Sequence, residues 1–505
     1  MIVIDDYFME HILFYTNIYQ KYNTLYVKGY DDKGKRFLKT ENYKPYLFID
    51  YNGTNNTKYK NIYGKPVDRI DFDSISEAKK FVDKYFEVEN FNIYGFENYK
   101  YVYLYDNFHQ FEYDFDLLNV IVLDIEVDSR NAFPDIEKAE NEIIAITLSN
   151  KKEKAVFGLK EYKAKAENIK YYYCKNEEDL LKVFLKVWNT SAFLPDILTG
   201  WNVEFFDIPY LINRIKNVLG ESLAKTLSPW NIITQRNVFG NNRTQFIYDI
   251  AGISILDYLS IYRNKKFNPE EQENYRLDTI TEVENLEIKK INYKEMGYKN
   301  LFDLYDRNFQ LFIDYNITDT TVIELLEEKH KFLEQIVAIA YDAKVNYSDV
   351  LTTVGIWDVI IHNYLMDRNI VVPYKKRREQ QQEMQLIGGY VKDVQASYYD
   401  WIVSFDLTSL YPHLIMQYNI SPETKITNKR LSIDIRDIIE KNVDLPTEYS
   451  CAANGILFTK EKEGFLPALM NKLFTERSEY KRKMLEAKKL KADIEHEMKK
   501  RGLHV

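Results

Sequence analysis

Two cysteines in 505 residues, Cys174 and Cys451, exclude a disulfide framework and point to a reducing compartment. Only seven histidines are present, and neither they nor the cysteines cluster with ligand spacing, which argues against zinc. No apolar run approaches the roughly 18 residues of a membrane span. The opening MIVIDDYFME lacks the basic segment of a signal peptide, so the expectation is a soluble, intracellular protein without a membrane partner. A general excess of positive charge is missing too: the net charge is -9, so any surface for nucleic acid has to be local. Residues 470–505 offer one, with 11 Lys or Arg against 6 Asp or Glu. A second basic cluster, Lys375, Lys376, Arg377 and Arg378, follows Pro373 in a polar, Gln-rich connector read as an interdomain boundary. That connector is as readily a solvated linker as a contact to a phosphate backbone.

Aromatic residues, by contrast, are abundant at 15%, which supports folded domains over disorder. The 42 tyrosines, alongside many Asn, Lys and Ile, are better explained by an AT-rich coding sequence than by base-stacking surfaces. The length exceeds what one hydrophobic core supports, so three or four domains are expected.

The chain is organised around residues 119–129, NVIVLDIEVDS. Val120, Ile121, Val122 and Leu123 form the continuous apolar run of a strand covered on both faces, and Asp124 and Glu126 follow two apart, hence on one face. Burying two unpaired carboxylates side by side costs several kcal/mol, a penalty that divalent cations would offset. On either side the pattern is mixed. Residues 1–108 alternate in strand fashion at 11–19, 24–29 and 36–40 around the turn Asp31, Asp32, Lys33, Gly34, then give a helix at 74–86 between strands near Ile70 and Tyr101. Further strands are predicted at 120–127, 142–148, 154–158 and 195–202, with a helix at 177–189 and another whose first turn carries Phe206 and Asp207. A hairpin at 237–253 turns around Gly240, Asn241 and Asn242, and one long helix at about 309–340 presents Tyr315 and Asp319 on one face.

A mixed sheet with helices on both sides can place Asp124, Glu126, Asp207 and Asp319 around one point. Four carboxylates converging within about 4 Å repel by roughly 4 kcal/mol per pair at an effective dielectric near 20, so such a site makes sense only with metal. An all-oxygen donor set suits Mg²⁺ or Mn²⁺. Two such ions can clamp a phosphodiester, which is nuclease chemistry.

The ordered set Asp124-x-Glu126, Asn202-x3-Phe206-Asp207 and Tyr315-x3-Asp319 resembles the three exonuclease motifs of the DEDD superfamily in its tyrosine-bearing form. The resemblance implies two metal ions held by the four acids, with Tyr315 orienting the attacking water. Farther on, FDLTSLYP at 405–412 closely matches motif A of family B DNA polymerases, those of T-even-type phages in particular. Residues 401–405 read as a strand with Asp406 at its end and a turn extended by Pro412. In that family Asp406 would be a polymerase metal ligand, Leu410 and Tyr411 would floor the nucleotide pocket, and Tyr411 would gate against a ribose 2′-OH. His413 departs from the small residue usual after the proline. GGYVKD at 388–393 resembles the family's template-strand motif, which gives Gly388 and Gly389, like Asn202 and Phe206, an implied DNA contact. Residues 464–483 resemble the entry to a fingers domain, with Arg477 and Lys481 four apart as a triphosphate clamp requires.

The implied fold is α/β and α+β multidomain. It comprises an N-terminal mixed α/β domain (1–108, with a return segment at about 336–376), a ribonuclease H-like 3′-5′ exonuclease domain with a mixed sheet (109–335), a partial palm (377–463) and a partial helical fingers (464–505). The implied partners are primer-template and single-stranded DNA, deoxynucleoside triphosphates, a sliding clamp and other replisome proteins, in the cytoplasm of an infected bacterium. The fingers motif K-x3-N-S-x-Y-G and the D-T-D strand do not occur in the 505 residues. The expectation is therefore the N-terminal subunit of a split polymerase with a separate C-terminal polymerase subunit. The stripe Tyr480, Met484, Ala487, Leu490, Ile494 and Met498 would be a docking face for that subunit. The alternatives are a truncated product acting only as an exonuclease, or an RNA-binding regulator of its own mRNA.

Overall fold

The computed structural model describes residues 12–51, 53, 57–108, 112–130, 134–240, 243–288, 291–375, 393–407, 409–433, 436–437, 440, 442, 447–452 and 454–502. The expected residues Gly388, Gly389, Lys376, Arg377, Arg378, Asn241 and Asn242 lie outside them. Contacts divide the chain into one unit of residues 1–46, 71–83 and 98–363, and a second of residues 47–70, 84–97 and 364–505. The division differs from a break at 108.

At the centre of the first unit is a six-stranded mixed sheet in the order Ile169–Tyr173, Lys154–Gly158, Ile143–Ser149, Val120–Val127, Ile197–Thr199, Ser254–Ile255. Ile121, Leu123, Ile125 and Val127 point into one core with the helices Glu177–Trp188 and Asp207–Leu219, where Phe184, Trp188 and Tyr210 are buried. Beyond the other face lies a second core built on the helices Leu301–Arg307 and Phe309–His330, with Phe312 and Ile313 fully buried. Asp124 and Glu126, out of phase with the first core, therefore face the helix Phe309–His330, and each is half-buried.

That helix faces a polar ladder on the neighbouring strand. Ser149 and Lys154 bond Glu324, and Thr147 bonds Asn316. The expected single helix at 309–340 is two helices, Phe309–His330 and Phe332–Ala343, broken at Lys331, which is left-handed at φ 56°. The apolar period runs through the break, so the sequence hides it. Tertiary contacts hold it: the Glu327 carboxylate accepts from Leu333 N at 3.0 Å, and Phe332 is buried while stacking on His330.

The N-terminal strands Ile12–Lys21, Thr24–Asp31 and Arg36–Asn42 form a three-stranded antiparallel sheet in this unit. The segment after residue 332 returns to it. Tyr341 OH donates to Tyr15 O at 2.7 Å, and the Asn346 amide accepts from Ile18 N at 2.8 Å and donates to Ile18 O at 2.9 Å, as a neighbouring strand would. The strand expected near Tyr101 is instead the helix Tyr99–Asn107, in which Tyr99, Tyr101, Val102, Tyr103, Leu104 and Tyr105 are all buried. A helix covered on nearly every side has no amphipathic period, and its tyrosines read as strand formers.

In the second unit a five-stranded sheet has the order Ile370–Val371, Tyr59–Asn61, Pro66–Asp71, Tyr46–Asp50, Ile93–Tyr94. Residues 401–405, expected as a strand, have no regular secondary structure, and Trp401 and Phe405 are 92% and 91% exposed. An apolar alternation becomes a strand only when a neighbour takes its hydrogen bonds, and among the described residues none pairs with it. The helix Leu410–Tyr418 follows, with Pro412 inside its first turn, where a missing N–H costs nothing. After the sheet Lys425–Arg430, Ile456–Thr459, Tyr449–Cys451 comes the 36-residue helix Phe465–Lys500. Among the described residues no helix is long and apolar enough to cross a membrane.

Candidate functional site

Three backbone devices assemble the acids. The strand Val120–Val127 carries Asp124 and Glu126 to the face described above. Next to it the strand Ile197–Thr199, paired in parallel as Ile197↔Val120 to Thr199↔Val122, ends at Gly200. A Cβ on Gly200 would stand 2.5 Å from Leu123 O, so only glycine lets the chain turn there against the residue before Asp124. Asn202, left-handed at φ 66°, then accepts from Phe205 N and Phe206 N, closing a turn that delivers Asp207 as the first residue of the helix Asp207–Leu219.

Asp207 Oδ1 accepts from Ile125 N at 3.1 Å, which fixes this third acid to the strand between Asp124 and Glu126. Burial pushes the Asp207 carboxyl up to about 7, against the lowering effect of that bond and of its own amide; Asp257 and Asp319 add to the rise. Asp319 comes from the helix Phe309–His330, four residues after Tyr315 and 9% exposed. The Tyr315 ring meets Tyr293 edge-on at 5.9 Å. Phe206 stacks on Tyr210 at 5.9 Å and 21°.

Four residues around these acids were not singled out by the sequence. Asp257 accepts from Ser260 N at 2.7 Å and Glu204 N at 3.3 Å, and burial raises its carboxyl. Burial, then Asp257, pushes the Glu204 carboxyl up to about 7. Asn316 donates to Asp124 Oδ2 at 2.5 Å and accepts from the Thr147 hydroxyl. For Glu204, position beside Phe206-Asp207 was the available signal.

The donors are oxygen only, and a carboxyl raised chiefly by burial, with Asp257 and Asp319 adding to it, is one whose charged form a divalent cation would stabilise, so the residue set fits one chemically. Among the described residues no three Asp, Glu, His or Cys side chains stand as a ready-made ion cage. The hairpin strands Ile233–Gly240 and Arg243–Ile250 pair without a break from Ile233↔Ile250 to Gly240↔Arg243. Arg236 in it bonds Asp249 at 3.0 Å and lies 3.9 Å from Glu204.

The second group of expected residues lies at the surface. Asp406 is exposed, Leu410 and Tyr411 are 42% and 76% exposed, and Arg477 and Lys481 are exposed along the helix Phe465–Lys500. What joins these segments is His413, whose ring meets Phe474 edge-on at 4.7 Å, one turn before Arg477.

Residues 84–280 match the family model described as DNA polymerase family B, exonuclease domain, and residues 354–500 match that described as DNA polymerase family B. The first range contains Asp124, Glu126, Asn202, Phe206 and Asp207, the second Asp406, Leu410, Tyr411, Arg477 and Lys481. The chain is similar to the DNA-directed DNA polymerase of Escherichia phage RB69, 34% identical over 94% of this chain and 54% of that one. It is also similar to that of Enterobacteria phage T4, 31% identical over 93% of this chain and 54% of that one. The DNA polymerase of Thermococcus litoralis is 23% identical over 69% of this chain. The chain thus spans about half the length, 54%, of the phage relatives it matches.

Proposed function

The chain belongs to DNA polymerase family B, and on that premise we propose that residues 109–335 form a 3′-5′ exonuclease that trims single-stranded DNA ends and proofreads a polymerase reaction. The observation that carries this reading is the bond from Ile125 N to Asp207 Oδ1, which draws two separate acidic motifs to one strand. Asp124, Glu126, Asp207 and Asp319 would hold Mg²⁺ or Mn²⁺. Such ions, when bound, activate water and stabilise the leaving oxygen. Phe206 and Asn202 seat the 3′-terminal nucleotide, and Tyr315 orients the attacking water. In this reading the chemistry takes place in the cytoplasm of an infected bacterium, which the similarity to phage polymerases supports.

The test is release of a 3′ label from single-stranded DNA by the purified chain with Mg²⁺ or Mn²⁺. Asp124→Ala and Asp207→Ala should abolish turnover and leave the fold intact, while Tyr315→Phe slows it less. Full activity in the Asp124→Ala, Glu126→Ala double variant overturns the reading.

Asp406, Leu410, Tyr411, Arg477 and Lys481 form, in this proposal, one side of a nucleotide-addition site that takes primer-template DNA and deoxynucleoside triphosphates. Completing it requires the K-x3-N-S-x-Y-G and D-T-D motifs, supplied by further sequence or by a second polypeptide, the split arrangement. The exposed Tyr480, Met484, Leu490 and Ile494 on the helix Phe465–Lys500 suit such a contact. Adding a polypeptide that carries both motifs should create nucleotide incorporation that neither shows alone, and Asp406→Ala should erase it with exonuclease activity unchanged. Primer extension by these 505 residues alone would contradict the split.

A further inference from the structure

We propose that Thr147 and Asn316 are positioning residues that hold the Asp124 carboxylate in one orientation for its cation, an inference that rests on the exonuclease reading above. Thr147 stands directly opposite Asp124 in the antiparallel pair of Ile143–Ser149 with Val120–Val127, so the two side chains share a face. Asn316 arrives from the helix above, between Tyr315 and Asp319 in sequence. Thr147 and Asn316 are both 0% exposed, so water does not compete for their hydrogen bonds.

The direction of the relay follows from donor and acceptor chemistry. An ionised carboxylate only accepts, so the Asn316 group facing Asp124 has to be the amide NH₂, and its Nδ2 donates to Asp124 Oδ2 at 2.5 Å. That leaves Asn316 Oδ1 turned away, and the Thr147 hydroxyl donates to it. The carboxylate thus sets which way the amide faces, the hydroxyl holds the amide there through Oδ1, and the amide in turn anchors one carboxylate oxygen. A flipped amide would set oxygen against oxygen at Asp124 and forfeit a charge-assisted bond. Because Asn316 and Asp319 share a helix turn, the same relay ties the first acid of the set to the last.

A buried polar cluster that merely satisfies itself would affect stability and nothing else, so the test reads metal binding. Wild type, Thr147→Val, Thr147→Ser and Asn316→Leu are compared as the full chain by Mn²⁺ titration calorimetry without DNA, by thermal unfolding, and by kcat and KM on 3′-labelled single-stranded DNA. The expectation for Thr147→Val and Asn316→Leu is Mn²⁺ affinity and kcat both reduced about 10- to 100-fold, with KM for DNA within about two-fold of wild type. Thr147→Ser, which keeps the hydroxyl, should restore wild-type values. If Asn316→Leu fails to fold, the Thr147 pair decides. Unchanged Mn²⁺ affinity in Thr147→Val, failure of Thr147→Ser to restore it, or no Mn²⁺ binding by wild type overturns the proposal. Loss of the exonuclease reading would register separately, as a wild-type chain that binds Mn²⁺ but releases no label.

Discussion

Lys28 Nζ and Asp196 Oδ1 lie 2.9 Å apart with both side chains 0% exposed, which ties the N-terminal sheet to the start of the strand Ile197–Thr199. Lys28 also donates to Gly252 O at 3.0 Å, while Asp196 Oδ2 accepts from Tyr30 OH at 2.7 Å, Asn119 N at 2.8 Å and Arg36 at 3.1 Å. Burial alone would raise the Asp196 carboxyl; Lys28, Arg36 and the Tyr30 bond hold it below the usual carboxylate range. Asp196→Ala strands Lys28 in a dry site and should cost about 3–5 kcal/mol in urea unfolding. Arg36→Gln should cost less, since that side chain is 16% exposed. An Asp196→Ala variant as stable as wild type would show that the pair is dispensable.

Gly200→Ala should damage the site from behind. Its Cβ would meet Leu123 O at 2.5 Å, and a backbone carbonyl inside a paired strand has no room to retreat. The expected result is a loss of about 1–3 kcal/mol in stability together with reduced nuclease turnover, because the displaced residue precedes Asp124. Wild-type turnover in this variant would count against the close approach.

The hairpin can be shortened only in part. Ile247, Tyr248 and Ile250 are buried, so the base of the hairpin belongs to a core. Residues 234–237 are exposed. Replacing 238–245 by a two-residue Asn-Gly turn should therefore leave stability nearly unchanged. Degradation of duplex primer ends should fall while that of single strands persists, if the hairpin acts as a wedge; equal loss on both substrates would remove that role.

His362 gives a pH signature. Burial lowers its pKa from 6.5 to about 4, and Tyr105 meets its ring edge-on at 5.8 Å. Between those two values the unfolded chain takes up a proton that the folded chain refuses. The folded state is thus fully favoured above pH 6.5 and loses stability as pH falls toward 4, by roughly 3 kcal/mol for this group. Between pH 7 and pH 4.5 the urea midpoint of wild type should fall relative to that of His362→Leu. A constant gap between them would rule the histidine out as the source.

The sequence by itself determined the elements whose pattern is local. The strand Val120–Val127 was legible because its apolar run and its two-apart acids obey the strand period, and the helix Glu177–Trp188 because acids crowd its first turn after the capping Asn176. The motif residues Asp124, Asp207 and Asp319 were legible for the same reason, as short spacings in one stretch of chain. Tertiary structure alone decided what depends on partners far apart in sequence. The Tyr99–Asn107 segment is helical because it is covered on nearly every side, and the Lys331 break persists because Glu327 caps the following helix. Asn316 became visible only once Thr147 and Asp124 stood across from one another in adjacent strands. A single asparagine carries no pattern in sequence; its role comes from which donor and which acceptor burial places on either side of its amide.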